Sequence, residues 1–289
     1  EALSEAPPEP PAHTPLQRTG VVPADSDWLR QVTHAVAGIH QGRMTKVVPS
    51  RRVRICTRHP VAPARLVNRL LQLNPTAAIV SIGLGDRHFV AATPERLATV
   101  SGHRILCDAI GGTGQRSADP ALDREQARRL LHSPKTRHEH ALVVNGIRRV
   151  LAPLCCRLDP SPEPALLPLR NLRHLWTPIR GRLNPGRGVL DAAALLHPTA
   201  ATSGHPATVA SAWLTRQEQD HRGWYAGAAG WVDRDGNGEL SVLLRCALVQ
   251  GCEALLYAGA GVTGDSSPTA ELRETELKLR TILEALESA

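Results

Sequence analysis

The chain is 289 residues long, enough for one large domain or two small ones, with 42% hydrophobic and only 3% aromatic residues. Its formal net charge is +7, yet no block of five or six Lys/Arg marks a nucleic-acid arm. No apolar run approaches the ~18 residues of a membrane span and no secretory leader is visible, so a cytoplasmic chain without nucleic-acid or membrane partners is expected.

Arginine supplies nearly all the positive charge, because Lys46, Lys135 and Lys278 are the only lysines. An ammonium can lose its proton and act as a base where a guanidinium cannot, so these three are candidates for chemistry. A composition bias explains the arginine excess equally well. Six cysteines form no C-x-x-C pair and read as small buried hydrophobes in a reducing cytoplasm. The chain opens at Glu1 and its only methionine is Met44, which is expected of a fragment or a processed product.

Residues 1–25, with EAPPEPPAHTP, are Pro-rich and predict an unpacked linker, leaving 26–289 as one domain. A helix is predicted over about 27–42, then KVVPSRRVRI as strand and a helix near 63–74. AAIVSIGL and HFVAAT read as a strand pair, and LATVSGHRIL as a hairpin turning on Ser101-Gly102. DPALDREQARRLLHS and KTRHEHALVVNGIRRVLAPL carry helical spacing. Strand signals return around 172–180, with helices at 189–196 and 205–219. GWYAGAAGWV, ELSVLLRCALVQ and EALLYAGAG then read as consecutive antiparallel strands before a last helix at about 268–288. Runs of strands broken by runs of helices predict an α+β fold rather than a doubly wound sheet.

Three motifs imitate sites. DRDGNGE (233–239) opens like a calcium loop but lacks the glutamate at the twelfth position, and a polar hairpin turn is the better reading. RHEH (137–140) sets His138 and His140 on different faces of a helix without Cys/His partners, so zinc is discounted. GAGVTG (259–264) matches a dinucleotide fingerprint in spacing, but its helix starts late, with Ser266 or Ser267 as N-cap and Pro268 as first residue. Its amides suit a carboxylate or phosphate, and a tight turn with no ligand fits as well. In ELRETELK, Glu271, Glu274 and Lys278 share a stripe of the helix within roughly 60°. That stripe suits a hard cation such as Mg²⁺, or is a solvated face with an i,i+4 pair.

Taken in order, TKVVPSRR (45–52), ATPERL (92–97), AIGGT (109–113), KTRHEH (135–140), RHLWTPIRG (173–181), LLHPTAATSGHP (195–206), GWYAGAAGW (223–231), LLRCALV (243–249), YAGAG (257–261) and ELRETELK (271–278) resemble the chorismate-utilising enzymes. That family includes anthranilate, aminodeoxychorismate, isochorismate and salicylate synthases. The resemblance runs from about Trp28 to Ala289. It implies layered β-sheets with helices packed outside, 26–289 as the catalytic domain, and a truncated N-terminal part.

Lysine at 46, where anthranilate synthases carry Gln, and Thr136, where they carry an acidic residue, lean toward the isochorismate branch. The resemblance then implies Mg²⁺-dependent conversion of chorismate to isochorismate for siderophore or menaquinone supply. Lys46 would take a proton from water attacking C2, and Glu95 would protonate the departing C4 hydroxyl, with His174 at the active site. It further implies Gly112, Thr113, Arg245, Lys278 and the backbone of Gly259, Ala260 and Gly261 as substrate contacts. Glu139 and Glu274 become the metal ligands, with Glu271 nearby or acting through water. A salicylate or anthranilate synthase, or an inactive chorismate-binding fragment, are the alternatives. The expected chain is a monomer, or one that depends on a missing N-terminal segment. Gly111 and Ala200 depart from the family pattern, which usually has Ala and Pro there.

Overall fold

The computed structural model describes residues 16–159, 162–219 and 221–288. In chain order these residues form β1 (Gln17–Val22), α1 (Asp25–His40), β2 (Lys46–Val47), β3 (Ser50–Cys56), α2 (Pro63–Leu73), β4 (Ala78–Leu84), β5 (Arg87–Thr93), β6 (Arg96–Ser101) and β7 (Arg104–Gln115). Next come α3 (Pro120–His132), α4 (Pro134–Leu151), β8 (Cys155–Leu158), β9 (Ala165–Pro168), β10 (Leu172–Leu183), α5 (Val189–Leu196), β11 (Gly204–His205) and α6 (Ala207–Gln217). The chain finishes with β12 (Ala228–Val232), β13 (Gly238–Val242), β14 (Cys246–Gln250), β15 (Glu253–Gly259) and α7 (Pro268–Glu287).

The strands make two antiparallel sheets and a two-stranded ribbon. The first sheet runs β1-β3-β15-β14-β5-β4, the second β12-β13-β6-β7-β10-β8 with β9 also on β10, and β11 pairs with β2. Each sheet is covered by its own helices. Leu66 and Leu70 of α2 and Leu279 and Ile282 of α7 bury against Val53, Val90 and Leu256 of the first sheet. Val143, Ile147 and Leu151 of α4, with Val189 and Ala192 of α5, bury against Ile105, Cys107 and Ile179 of the second. Each such Val, Leu or Ile side chain contributes about 1.5–3 kcal/mol by leaving water. A further cluster, with Phe89, Tyr225, Leu243, Cys246 and Tyr257, joins the sheets. The expected α+β fold with helices outside layered sheets is what these packing partners build.

Two connections carry the chain from one sheet to the other. Between β5 and β6 lie Pro94 and Glu95, and between β13 and β14 lie Leu243, Leu244 and Arg245. The crossings run side by side, tied by Ala92 N–H to the Arg245 carbonyl (3.0 Å) and Val242 N–H to the Glu95 carbonyl (2.9 Å). Arg245 takes φ +49°, the left-handed region that costs a non-glycine residue energy and that clusters at functional sites.

The linker expected over 1–25 needs correction in its described part. Gln17–Val22 is a strand on the edge of the first sheet, pairing Gln17 with Cys56 and Val22 with Arg52, and α1 starts at Asp25. The prolines lie mostly before it, and β3 offers an edge that QRTGVV can bond; residues 1–15 lie outside the described part. GWYAGAAGWV is extended only from Ala228, because Gly227 N–H closes a turn on the Trp224 carbonyl (2.9 Å). DRDGNGE is the expected hairpin turn, with Asp233 accepting from the Asp235 and Asn237 amides (both 2.9 Å).

The ribbon of β2 and β11 depends on Gly204. Its φ is +134°, and a Cβ there would lie 2.3 Å from the Lys46 carbonyl oxygen and 2.8 Å from the Ala210 Cβ. Both are backbone or short side chains with nowhere to retreat. Gly204→Ala is expected to lower unfolding stability by about 2–4 kcal/mol, read as a lower urea midpoint with an unchanged slope.

Candidate active site

Lys46 is placed by bonds made on both sides of its two-residue strand. Val47 exchanges amide–carbonyl bonds with Val262 (3.1 and 2.8 Å), Val48 N–H donates to Ser203 (2.9 Å), and Thr45 N–H to His205 (2.9 Å). The side chain is 4% exposed. Its end lies beside Gly261, where a Cβ would stand 3.0 Å from Cε and 3.4 Å from Nζ. Burial lowers its pKa and the Lys278 charge adds to that, against the pull of Glu139, Glu274 and Glu95.

Glu95 sits on the first sheet crossing, 4% exposed, its N–H donating to Thr93 Oγ1 (3.2 Å). Burial pushes its carboxyl up to about 7, with Asp108 adding to the rise and Arg245 opposing it. Lys46 and Glu95 line one cavity with Gly111, Gly112, Thr113, Glu139, His174, Arg245, Gly261, Glu274 and Lys278. That space draws on both sheet crossings, the ribbon, α4 and α7.

His174 holds the far wall. Its Nδ1 donates to the Gly112 carbonyl (2.9 Å), which can only accept, so Nε2 is the acceptor for Arg245 Nη2 (2.9 Å). Burial, with the Arg245 charge beside it, lowers the ring's pKa to about 3 and keeps it neutral. With both nitrogens engaged, the ring aims Arg245.

Glu274 and Lys278 meet as their i,i+4 spacing requires, at 2.6 Å, and Lys278 Nζ also donates to the Gly259 carbonyl (2.8 Å). Burial would raise the Glu274 carboxyl, but Lys278, joined by the Thr113 hydroxyl, holds it below the usual range. Glu139 on α4 accepts from Thr263 Oγ1 (3.2 Å), and its pKa is raised by burial. Lys135 stands 4.0 Å from Glu139 and 3.6 Å from Glu271, so all three lysines of the chain converge here. Glu271 rises to about 7 through burial and the Glu274 charge.

Some expected positions move. Of the three backbone positions assigned to a carboxylate, only Gly261 lines the cavity. The Ala260 N–H is engaged by the Pro49 carbonyl (3.2 Å), and the Gly259 carbonyl faces Lys278, so these two support the wall instead. Glu271 stands behind the lining residues. The three glutamates offer oxygen donors of the kind Mg²⁺ prefers, while among the described residues no group of three or more His, Cys, Asp and Glu is placed round one point. Lysines balance their charges as arranged. In RHEH, His138 is exposed while His140 is buried with Nε2 2.8 Å from Thr177 Oγ1, on separate faces as expected.

Sequence reasoning used Thr136 only as a mark of the branch, did not single out Thr263, and did not pair Lys135 with Glu139. The i,i+4 spacing of Lys135 and Glu139 was available as a signal. The contact of Thr136 with Gly112 had none, since it is made between two separate elements. Gly112 has φ +68°, and a Cβ there would fall 2.1 Å from Thr136 Cγ2. At neighbouring Gly111 a Cβ would meet nothing closer than 3.5 Å.

A family model described as chorismate binding enzyme matches residues 1–287. A putative isochorismate synthase of Aeromonas hydrophila is 39% identical over 266 residues, covering 91% of this chain and 67% of that protein. The salicylate biosynthesis isochorismate synthase of Pseudomonas aeruginosa is 39% identical over 259 residues, covering 90% of this chain. This chain spans only 54% of that relative's length. A putative 2,3-dihydroxybenzoate-specific isochorismate synthase structure from Bacillus anthracis superposes with TM-score 0.91 at 33% identity, over 96% of this chain and 75% of that one.

The Gly112–Thr136 contact is directly testable. Gly112→Ala is expected to destabilise the fold by about 2–3 kcal/mol, and Gly112→Ala with Thr136→Ser to recover all but the ~1 kcal/mol of backbone strain. Gly111→Ala should stay within about 0.5 kcal/mol of the parent. Chemical denaturation of the four proteins measures all three.

Proposed function

The chain belongs to the chorismate-binding enzyme family, in its isochorismate synthase group, and on that premise we propose that it converts chorismate to isochorismate with Lys46 as base and Glu95 as acid. One observation carries the reading. A buried lysine and a buried glutamate line one cavity, and their surroundings push both toward their neutral forms. Opposed acid and base assignments follow from such pairs.

Neutral Lys46 takes a proton from the water whose oxygen bonds to C2. The ring double bonds shift, the C4–O bond breaks, and Glu95 gives its proton to the departing hydroxyl, which leaves as water. Water consumed equals water released, and passing one proton from Lys46 to Glu95 resets the site. Arg245, aimed by His174, binds a substrate carboxylate through its paired donors. Lys278 binds the other. Gly112 and Thr113 lie against the ring. Mg²⁺, held by Glu139 and Glu274 with Glu271 nearby, would neutralise the ring carboxylate. Relatives are named for salicylate, 2,3-dihydroxybenzoate and menaquinone routes, and a place in siderophore or menaquinone supply is in keeping with them.

Purified protein given chorismate and Mg²⁺ is expected to release isochorismate. Salicylate with pyruvate, or anthranilate when ammonia is present, would replace this reading with another synthase. No product would mark a chorismate-binding fragment. Lys46→Ala and Glu95→Gln should each lower turnover by about 10²–10⁴ while circular dichroism stays unchanged. Because Glu95 must hold its proton, kcat/KM should fall as pH rises through about 7. The same raised pKa gives a stability term present below the ordinary 4.5 and lost as pH rises through about 7, which Glu95→Gln removes.

A further inference from the structure

Away from this cavity, the second sheet carries an arrangement that no step of the reaction uses. In the register of β7, β10 and β8, Arg104 faces Arg182, and Arg182 faces Arg157. Paired residues on neighbouring antiparallel strands point to the same side, with Cα atoms about 4.5–5.5 Å apart. Arg180, two residues along β10, shares that side. All four arginines are exposed, and all four line one hollow with Asp159 and Ser101.

Like charges directly opposite one another destabilise a sheet. Here three stand in one row, with a fourth beside them. The single carboxylate present, Asp159, accepts from Arg157 Nε at 3.0 Å. Among the described residues, Arg104, Arg180 and Arg182 have no carboxylate within ion-pair distance. None of the four lines the cavity around Lys46 and Glu95.

We propose that this arginine row is a binding site for a compact multivalent anion, a polyphosphate or a polycarboxylate. Guanidinium groups present paired donors that match both anion types. A row two strand spacings wide, about 10 Å, matches an anion with several charged groups better than a single phosphate. The hollow has no aromatic side chain on which a base could stack, which sets it apart from single-strand nucleic-acid grooves. The site stands whether or not the proposed reaction is correct.

The experiment is isothermal titration of the full chain with pyrophosphate and, separately, citrate, each against sodium chloride of equal ionic strength. Binding by one or both is expected and identifies the source of the anion. Arg182→Gln removes the middle charge. It should weaken binding by about tenfold or more and, without ligand, raise the thermal midpoint because repulsion is relieved. Arg104→Gln provides a second, independent reading of the same two effects. Arg234→Gln, at an exposed hairpin position, should leave both unchanged. The proposal is overturned if neither anion binds beyond the salt control, if Arg182→Gln and Arg104→Gln bind as the parent does, or if only an oligonucleotide binds.

Discussion

The site rests on one charge pair. Lys278 donates at once to Glu274 and to the Gly259 carbonyl, at 2.6 and 2.8 Å. This ties α7 to the end of β15, and so the helix that covers the first sheet to the backbone leading past Lys46. With the two side chains only 14% and 22% exposed, removing one partner leaves the other charged where little water reaches it. The remaining charges are arranged round that pair. Lys135 balances Glu139 and Glu271 on one side, and Arg245 stands opposite Glu95 on the other.

Geometry then divides the labour between the two sheets. Strand-to-strand crossings are the places where a chain must leave a ladder, so their side chains are free to face inward. Glu95 and Arg245 occupy the two crossings, and their backbones are bonded to each other's strands. The left-handed backbone at Arg245 belongs to the same device, since a regular strand would turn that side chain elsewhere. His174, held in one tautomer by the Gly112 carbonyl, completes it.

Local pattern revealed much of this and distant pairing did not. The spacing of Glu271, Glu274 and Lys278 predicted a shared stripe, because helical periodicity is a property of neighbours. Whether that stripe met solvent or a wall depended on β15, which no spacing within the helix encodes. Ordered motifs brought in Lys46, Glu95 and Arg245, while the small contacts that seat them, such as Thr136 against Gly112, arise between α4 and β7. The edge strand at Gln17–Val22 was hidden for the same reason. Its composition resembles a linker, and only the free edge of β3 makes it a strand. That the Ala260 amide is engaged by the Pro49 carbonyl is likewise a pairing between distant segments that its motif does not encode.

The scarcity of lysine has a practical side. Lys46 is buried and Lys278 partly shielded in the cavity wall, while Lys135, beside Glu139, keeps 37% of its side chain exposed. Apart from its terminus, the chain carries no other primary amine. Reagents that acylate amines scatter over the surface of an ordinary protein, but here the lysines they can reach are gathered at a single locus. A dye or cross-linker of that type becomes a site-directed label without any engineered cysteine, and its protection by a bound ligand becomes a direct occupancy assay.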